Sequence, residues 1–230
     1  MKDRTVGEWV AEDFRSASIF KDAGIDFCCG GDKNVTDACN EKNIDPLDIE
    51  EKLVALENQA HAQALDFKNW PISFLCDYIV NIHHSYVKKN LPDLKFYTQK
   101  IADVHSEHHP ELINVASLFS KLSTELSEHL QNEEEKLFPA VKNIQPDSAD
   151  NQTAFFNSEL EHLISEHESA GEILHQIQKL TGNYLIPDDA CNTYRLTMNL
   201  LSEFEDDLHV HIHLENNILF PALRKLTFQD

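Results

Sequence analysis

Two eleven-residue segments restrict the fold of this chain more than any other feature. HLQNEEEKLFP at 129–139 and HIHLENNILFP at 211–221 share His at position one, Glu at five and Leu-Phe-Pro at nine to eleven, 82 residues apart. A further histidine precedes each copy at nearly the same distance, His84 lying 45 residues before His129 and His167 lying 44 before His211. From Pro71 onward the apolar residues follow a helical period. The region therefore reads as two helical hairpins, each offering His from one helix and His-x-x-x-Glu from the next, which together make an all-α four-helix bundle of up-down connectivity. The helices are expected at about 72–107, 111–142, 152–181 and 188–226, with Pro92 kinking or splitting the first because it lacks an N–H.

Residues four apart lie one turn apart on one helix face, so His129 with Glu133, and His211 with Glu215, each aim an imidazole and a carboxylate at one point. At about 100° per residue, His129 and Glu133 fall among Leu122, Leu126, Leu137 and Ala140. His211 and Glu215 fall among Leu200, Phe204, Leu208, Ile218 and Ala222, and His167 among Leu160, Leu163, Ile164, Ala170 and Leu174. Polar groups on an apolar face are expensive unless paired or bound to metal. A lone histidine there is more often a satisfied core residue, but a buried carboxylate is rare, and the same pair recurring in both hairpins favours a metal site. On the first helix the stripe Leu75, Ile79, Ile82, Tyr86 places His83 nearer the core, whereas the spacing match favours His84; the pattern leaves both open.

Four imidazoles and two carboxylates exceed the four ligands of one zinc and suit two ions bridged by carboxylate. Nitrogen and oxygen donors without thiolate point to iron or manganese, iron being preferred and dizinc remaining open. Glu133 and Glu215 are then the expected catalytic as well as ligating residues. Glu125 and Asp207, one turn before His129 and His211, are candidates to hold the imidazoles from behind. His105, beside the Pro110 turn with His108 and His109, is a candidate neighbour of the site. His162, His209 and His213 are expected on outward faces, His175 on a flank and His61 in a linker.

Ahead of the bundle, residues 1–60 read as a small helical domain, joined through 61–70 to a bundle domain at 71–230. Thr5 and Glu8 form a capping box before Val6, Trp9, Val10 and Phe14. A second helix carries Ala17, Ile19 and Phe20 and stops at Gly24, a third carries Val35, Ala38 and Cys39, and Asp45-Pro46 opens a fourth to about Gln59. Between the second and third lies Asp26-Phe27-Cys28-Cys29-Gly30-Gly31-Asp32, whose paired glycines allow unusual backbone angles. Adjacent thiols in such a loop can bind iron, exchange disulfides or attack nitrosylated groups; Cys39, Cys76 and Cys191 read as small hydrophobes.

Composition narrows the partners. With 19 Lys and Arg against 40 Asp and Glu the net charge is −21, which disfavours nucleic acid. No apolar run reaches the length of a membrane helix, and the start lacks a signal-peptide pattern. Five cysteines, an odd number, argue against a disulfide framework. A cytoplasmic protein with reduced thiols is expected, as a monomer or homodimer.

The repeated H-x-x-x-E-x-x-x-L-F-P with its upstream histidines resembles hemerythrin-like di-iron bundles. The segment D-F-C-C-G-G-D-K ahead of such a bundle resembles the Repair of Iron Centers family of iron-sulfur cluster repair proteins, and the likeness covers nearly the whole chain. In that family the first-helix ligand lies seven residues before Leu-Pro, and Leu91-Pro92 then selects His84. S-E-H-E-S-A-G-E-I-L resembles its third-helix motif and carries His167. The implied set is His84, His129, Glu133, His167, His211 and Glu215, unlike the five histidines of oxygen-carrying hemerythrins. The resemblance implies two iron ions per chain, oxo- and carboxylate-bridged. It also implies repair of iron-sulfur proteins damaged by nitric oxide or peroxide, through iron donation or nitric oxide binding and reduction, with Cys28 and Cys29 as a thiol relay. A hemerythrin-like oxygen or nitric oxide sensor or store is the alternative, and it leaves the two cysteines without a task. A ferritin-like oxidase would instead carry Glu-x-x-His.

Overall fold

The computed structural model describes residues 4–57, 65–144 and 149–227, and divides into two compact units, residues 1–76 with 209–230 and residues 77–208. Helices dominate; among the described residues the one extended pairing is a bridge between Thr5 and Asn34.

In the first unit, α1 (Val6–Glu12) starts at the expected capping box: Thr5 Oγ1 accepts from the Glu8 N–H at 3.2 Å and Glu8 Oε2 accepts from the Thr5 N–H at 2.9 Å. Val6, Trp9 and Val10 are buried. α2 (Ser16–Asp22) buries Ala17 and Phe20 and ends at Gly24, whose φ of 65° is left-handed, as the stop signal requires. α3 (Val35–Glu41) is capped by Asn34, and α4 (Pro46–Glu57) begins at its proline. Of the expected linker, residues 61–64, His61 among them, lie outside the described residues. Phe67–Asn69 forms a short 3₁₀ turn with Phe67 buried edge-on to Phe14 at 5.9 Å.

The second unit is a four-helix bundle. α5 (72–105) comprises Ile72–Tyr78, a π-helical turn Ile79–His84 and Ser85–His105. It enters the unit at Asp77, and α8 (192–227) leaves it after Leu208. α6 (111–142) comprises Glu111–Asn132, a π turn Glu133–Leu137 and Phe138–Lys142; α7 is Ala149–Leu180; α8 comprises Asn192–His213, a π turn Leu214–Leu219 and Phe220–Thr227. Within the unit Phe204 of α8 packs edge-on against Phe119 of α6 at 5.6 Å and stacks on Tyr86 of α5 at 6.4 Å. Leu94, Ile101, Leu112, Leu122, Leu160 and Leu163 fill the interior. Pro92 does not split the first helix, because both it and Lys88, whose carbonyl loses its donor, face solvent. No helix among the described residues is long and apolar enough to cross a membrane.

Candidate metal centre

In the second unit, α5, α6 and α7 bring His84, His129, Glu133 and His167 together, all at most 3% exposed. Glu133 Oε2 lies 3.3 Å from His84 Nε2 and 3.3 Å from His129 Nε2. His167 Nε2 is 3.1 Å from His129 Nε2, and one donor atom each of His129, Glu133 and His167 falls within 4.8 Å of the others. In the first unit, His211 Nε2 lies 3.2 Å from Glu215 Oε1, both residues buried. Of the two adjacent candidates, His84 faces Glu133, while His83 Nδ1 donates to Asp207 Oδ1 at 3.0 Å and its ring lies edge-on to Tyr78.

The far nitrogens of two imidazoles are held by carboxylates. His129 Nδ1–H donates to Glu166 Oε2 at 2.7 Å, and His84 Nδ1–H donates to Glu134 Oε1 at 2.8 Å. The bond to His129 holds the Glu166 carboxyl below its usual range against partial burial. Burial works against ionisation of Glu134, but its bonds to Lys88 and then His84 outweigh it and keep that carboxyl low as well. Ionised carboxylates on both Nδ1 atoms leave lone pairs on Nε2. Both Nε2 atoms face the buried Glu133 carboxylate, a set of nitrogen and oxygen donors converging as metal ligands do. A metal ion with nitrogen and oxygen ligands fits that arrangement, and the donor set is right for iron.

Several sequence expectations need correction. Glu125 does not support His129: it pairs with Lys121 at 3.6 Å and accepts from Ser169 at 3.5 Å, because the Nδ1 edge of His129 faces α7. Asp207, expected behind His211, accepts from His83 instead. His105 lies with Cys191 (Nε2 to Sγ 3.1 Å) and Tyr194, not against the bundle imidazoles. His213 is fully buried rather than outward: Phe27 and Phe14 close over its ring at 5.8 and 6.2 Å, and burial pushes its pKa down to about 4. Cys191 is exposed, unlike the small core residue it resembles; Cys39 and Cys76 are buried, and all five cysteines are free thiols. Glu134 and Glu166 were not singled out from sequence, although each is adjacent to a candidate ligand, Glu133 or His167.

The Cys28-Cys29 loop belongs to the first unit with His211 and Glu215. Asn217, two residues past Glu215, donates to the carbonyls of Phe27 at 3.3 Å and Cys28 at 3.2 Å. Neither Gly30 nor Gly31 adopts a left-handed angle; Gly31 is required for space, since a Cβ there would sit 2.7 Å from the Phe27 carbonyl oxygen and 2.8 Å from Asn217 Oδ1.

Both parts of the chain match known protein families. Residues 77–223 match the hemerythrin HHE cation-binding domain, and residues 2–57 match ScdA_N, a domain of unknown function. The bundle is thus a hemerythrin-type cation-binding domain whose buried His and Glu donors suit iron. The iron-sulfur cluster repair protein ScdA of Staphylococcus epidermidis is 34% identical over 221 residues, 95% of this chain and 97% of that protein. The iron-sulfur cluster repair protein YtfE of Yersinia pestis is 33% identical over 211 residues, 91% of this chain and 92% of its own. ScdA of Staphylococcus haemolyticus is 32% identical over 215 residues, 94% and 95%. This chain belongs to the family of iron-sulfur cluster repair proteins.

Proposed function

We propose that this protein repairs iron-sulfur clusters damaged by nitrosative or oxidative stress, using a dinuclear iron centre held by His84, His129, Glu133, His167, His211 and Glu215. The observation that carries the reading is Glu133, a fully buried carboxylate with two imidazole Nε2 atoms each 3.3 Å away. The sequence repeat gives His211 and Glu215 the part in the second hairpin that His129 and Glu133 take in the first, which supports one six-ligand set across residues 71–230, with residues 1–60 as a separate domain. Two such ions, held by these six side chains, would supply exchangeable iron and, when both are ferrous, the two electrons that reduce two nitric oxide molecules to nitrous oxide. Glu134 and Glu166 fix the tautomer and aim of His84 and His129. Glu133 and Glu215 each present two oxygens and are fully buried from water. Clients are damaged iron-sulfur proteins in the cytoplasm, which Cys28 and Cys29 contact as a thiol relay.

The test is anaerobic. Protein purified without oxygen is assayed for iron and then added to a [4Fe–4S] dehydratase inactivated by nitric oxide. Close to two irons per chain and recovered dehydratase activity are expected, both lost in Glu133→Ala. Metal-free protein that restores the enzyme equally well would overturn the reading.

A further inference from the structure

Within the first unit, Asp26, Cys28 and Cys29 bring a carboxylate and two thiols within 4.8 Å of one another. Cys28 Sγ is 3.1 Å from Asp26 Oδ1 and 3.8 Å from Cys29 Sγ. The sulfur separation is far from the roughly 2.05 Å of a disulfide. It matches a different bond: two sulfurs at about 2.3 Å from one tetrahedral ion stand about 3.8 Å apart.

We propose that Asp26, Cys28 and Cys29 form a labile three-ligand site for one divalent thiophilic transition-metal ion. The cargo is ferrous iron passing between the bundle and a client, an assignment that rests on the proposed function. Charge supports the site. Two thiolates and a carboxylate this close repel one another unless a cation lies between them, and the nearby Lys33 is committed to Glu41 at 2.6 and 2.8 Å. Without metal the cation is a proton: the bond to Cys29 and then burial push the Cys28 thiol well up, with the charges of Cys29 and Asp26 adding to the effect. Metal binding replaces that proton.

The loop is already set for it. Asp26 Oδ1 accepts the N–H groups of Cys28 and Cys29 at 2.9 and 3.0 Å and Oδ2 accepts that of Gly30 at 3.1 Å, which takes three of about four lone-pair sites on a carboxylate and leaves the fourth on Oδ2. The Val6 and Gly7 N–H groups hold Lys33 O and Gly31 O at 2.8 and 2.7 Å, and Asn217 holds the Phe27 and Cys28 carbonyls. Asp26 is nevertheless exposed and Cys29 half-buried, so the fourth coordination position is open to a ligand from another protein.

Cobalt(II) tests the site in the full-length, reduced protein with its bundle already loaded with iron. One cobalt per chain is expected, with near-ultraviolet thiolate charge-transfer absorption and intense tetrahedral ligand-field bands in the red. Cys28→Ser/Cys29→Ser should abolish these bands, and Asp26→Asn should weaken binding by about tenfold or more while keeping an Oδ1 acceptor for the Cys28 and Cys29 N–H groups. Helical circular dichroism and bundle iron, read on the same samples, must match the unaltered protein. No thiolate band in the unaltered protein, a band surviving in the double variant, or one indifferent to Asp26→Asn would overturn the site. A double variant with full bundle iron and an undiminished repair rate would overturn ferrous iron as its cargo. Absence of bundle iron from the unaltered protein would instead overturn the proposed function and leave the cobalt result standing.

Discussion

Replacing Glu166 by Gln removes charge from behind His129 while keeping an oxygen that can accept its Nδ1–H. The bond is short and charge-assisted at 2.7 Å, and losing such support behind a metal-bound imidazole lowers metal affinity about 10–100-fold, or ~1.4–2.7 kcal/mol. Glu166 is 34% exposed and also faces His162 at 3.2 Å, so solvent already screens it. The lower end applies, about tenfold. Glu134→Gln acts on His84 in the same way, and the combined loss will not be strictly additive because both imidazoles adjoin Glu133. Glu125→Gln serves as the control, expected to change affinity less than about twofold, since its polar contacts among the described residues are with Lys121 and Ser169. Anaerobic competition between the protein and a ferrous chelator measures all three. Glu166→Gln retaining iron like the unaltered protein, or Glu125→Gln releasing it as readily, would refute the assignment of Glu166 to His129.

His84→Ala should lose iron in the same chelator assay. His83→Ala should keep it but unfold at lower temperature, by about 1–3 kcal/mol for the lost bond to the largely buried Asp207. Gly31→Ala forces either the Phe27 carbonyl or the Asn217 side chain to move, and thermal unfolding should show about 2 kcal/mol of destabilisation; an unchanged transition would contradict the packing. The raised pKa of Cys28 makes the neutral thiol dominant at pH 8, where an ordinary cysteine near 8.5 is already partly ionised. Its alkylation by iodoacetamide, measured by peptide mass spectrometry, should therefore be slow at pH 8 and still climbing at pH 9. Cys29→Ser, which removes the leading cause of the shift, should accelerate it.

The helix order, the capping box at Thr5, the start at Pro46 and the four inward helices were all legible in the sequence, because each depends on local chemistry or a long apolar period. The residues behind the imidazoles were not. Glu134 and Glu166 hold histidines of other helices, and a one-turn rule along a single helix points to Glu125 and Asp207 instead. His213 failed for a related reason. Its side of α8 does face away from the bundle stripe, but Phe14 and Phe27 supply a second apolar layer there, and nothing in the period of α8 announces it.

One error recurs in three places and has a single cause. The ordinary period puts Ala140 and Ala222 on the inward faces, yet Val141 and Leu223 are the buried residues, and on α5 it puts Ile82 inward, where the side chain is 49% exposed. Each displacement accompanies a π turn, Glu133–Leu137, Leu214–Leu219 and Ile79–His84. A π turn inserts a residue and so rotates the rest of the helix by about 100°. In both repeat copies the glutamate's own carbonyl takes the wide bond, Glu133 O from the Phe138 N–H and Glu215 O from the Phe220 N–H. Pro139 and Pro221 then stand second in the α segments that resume, within the first turn where a missing N–H is best tolerated. Leu-Phe-Pro is therefore more than a marker of the repeat: a proline six residues after a buried Glu, behind a buried Leu-Phe pair, is the local signature of the widened turn. The same widening on α5 buries His83 and His84 together, so a strict 3.6-residue stripe has no means of choosing between them, and only the partners, Asp207 for one and Glu133 for the other, separate their roles.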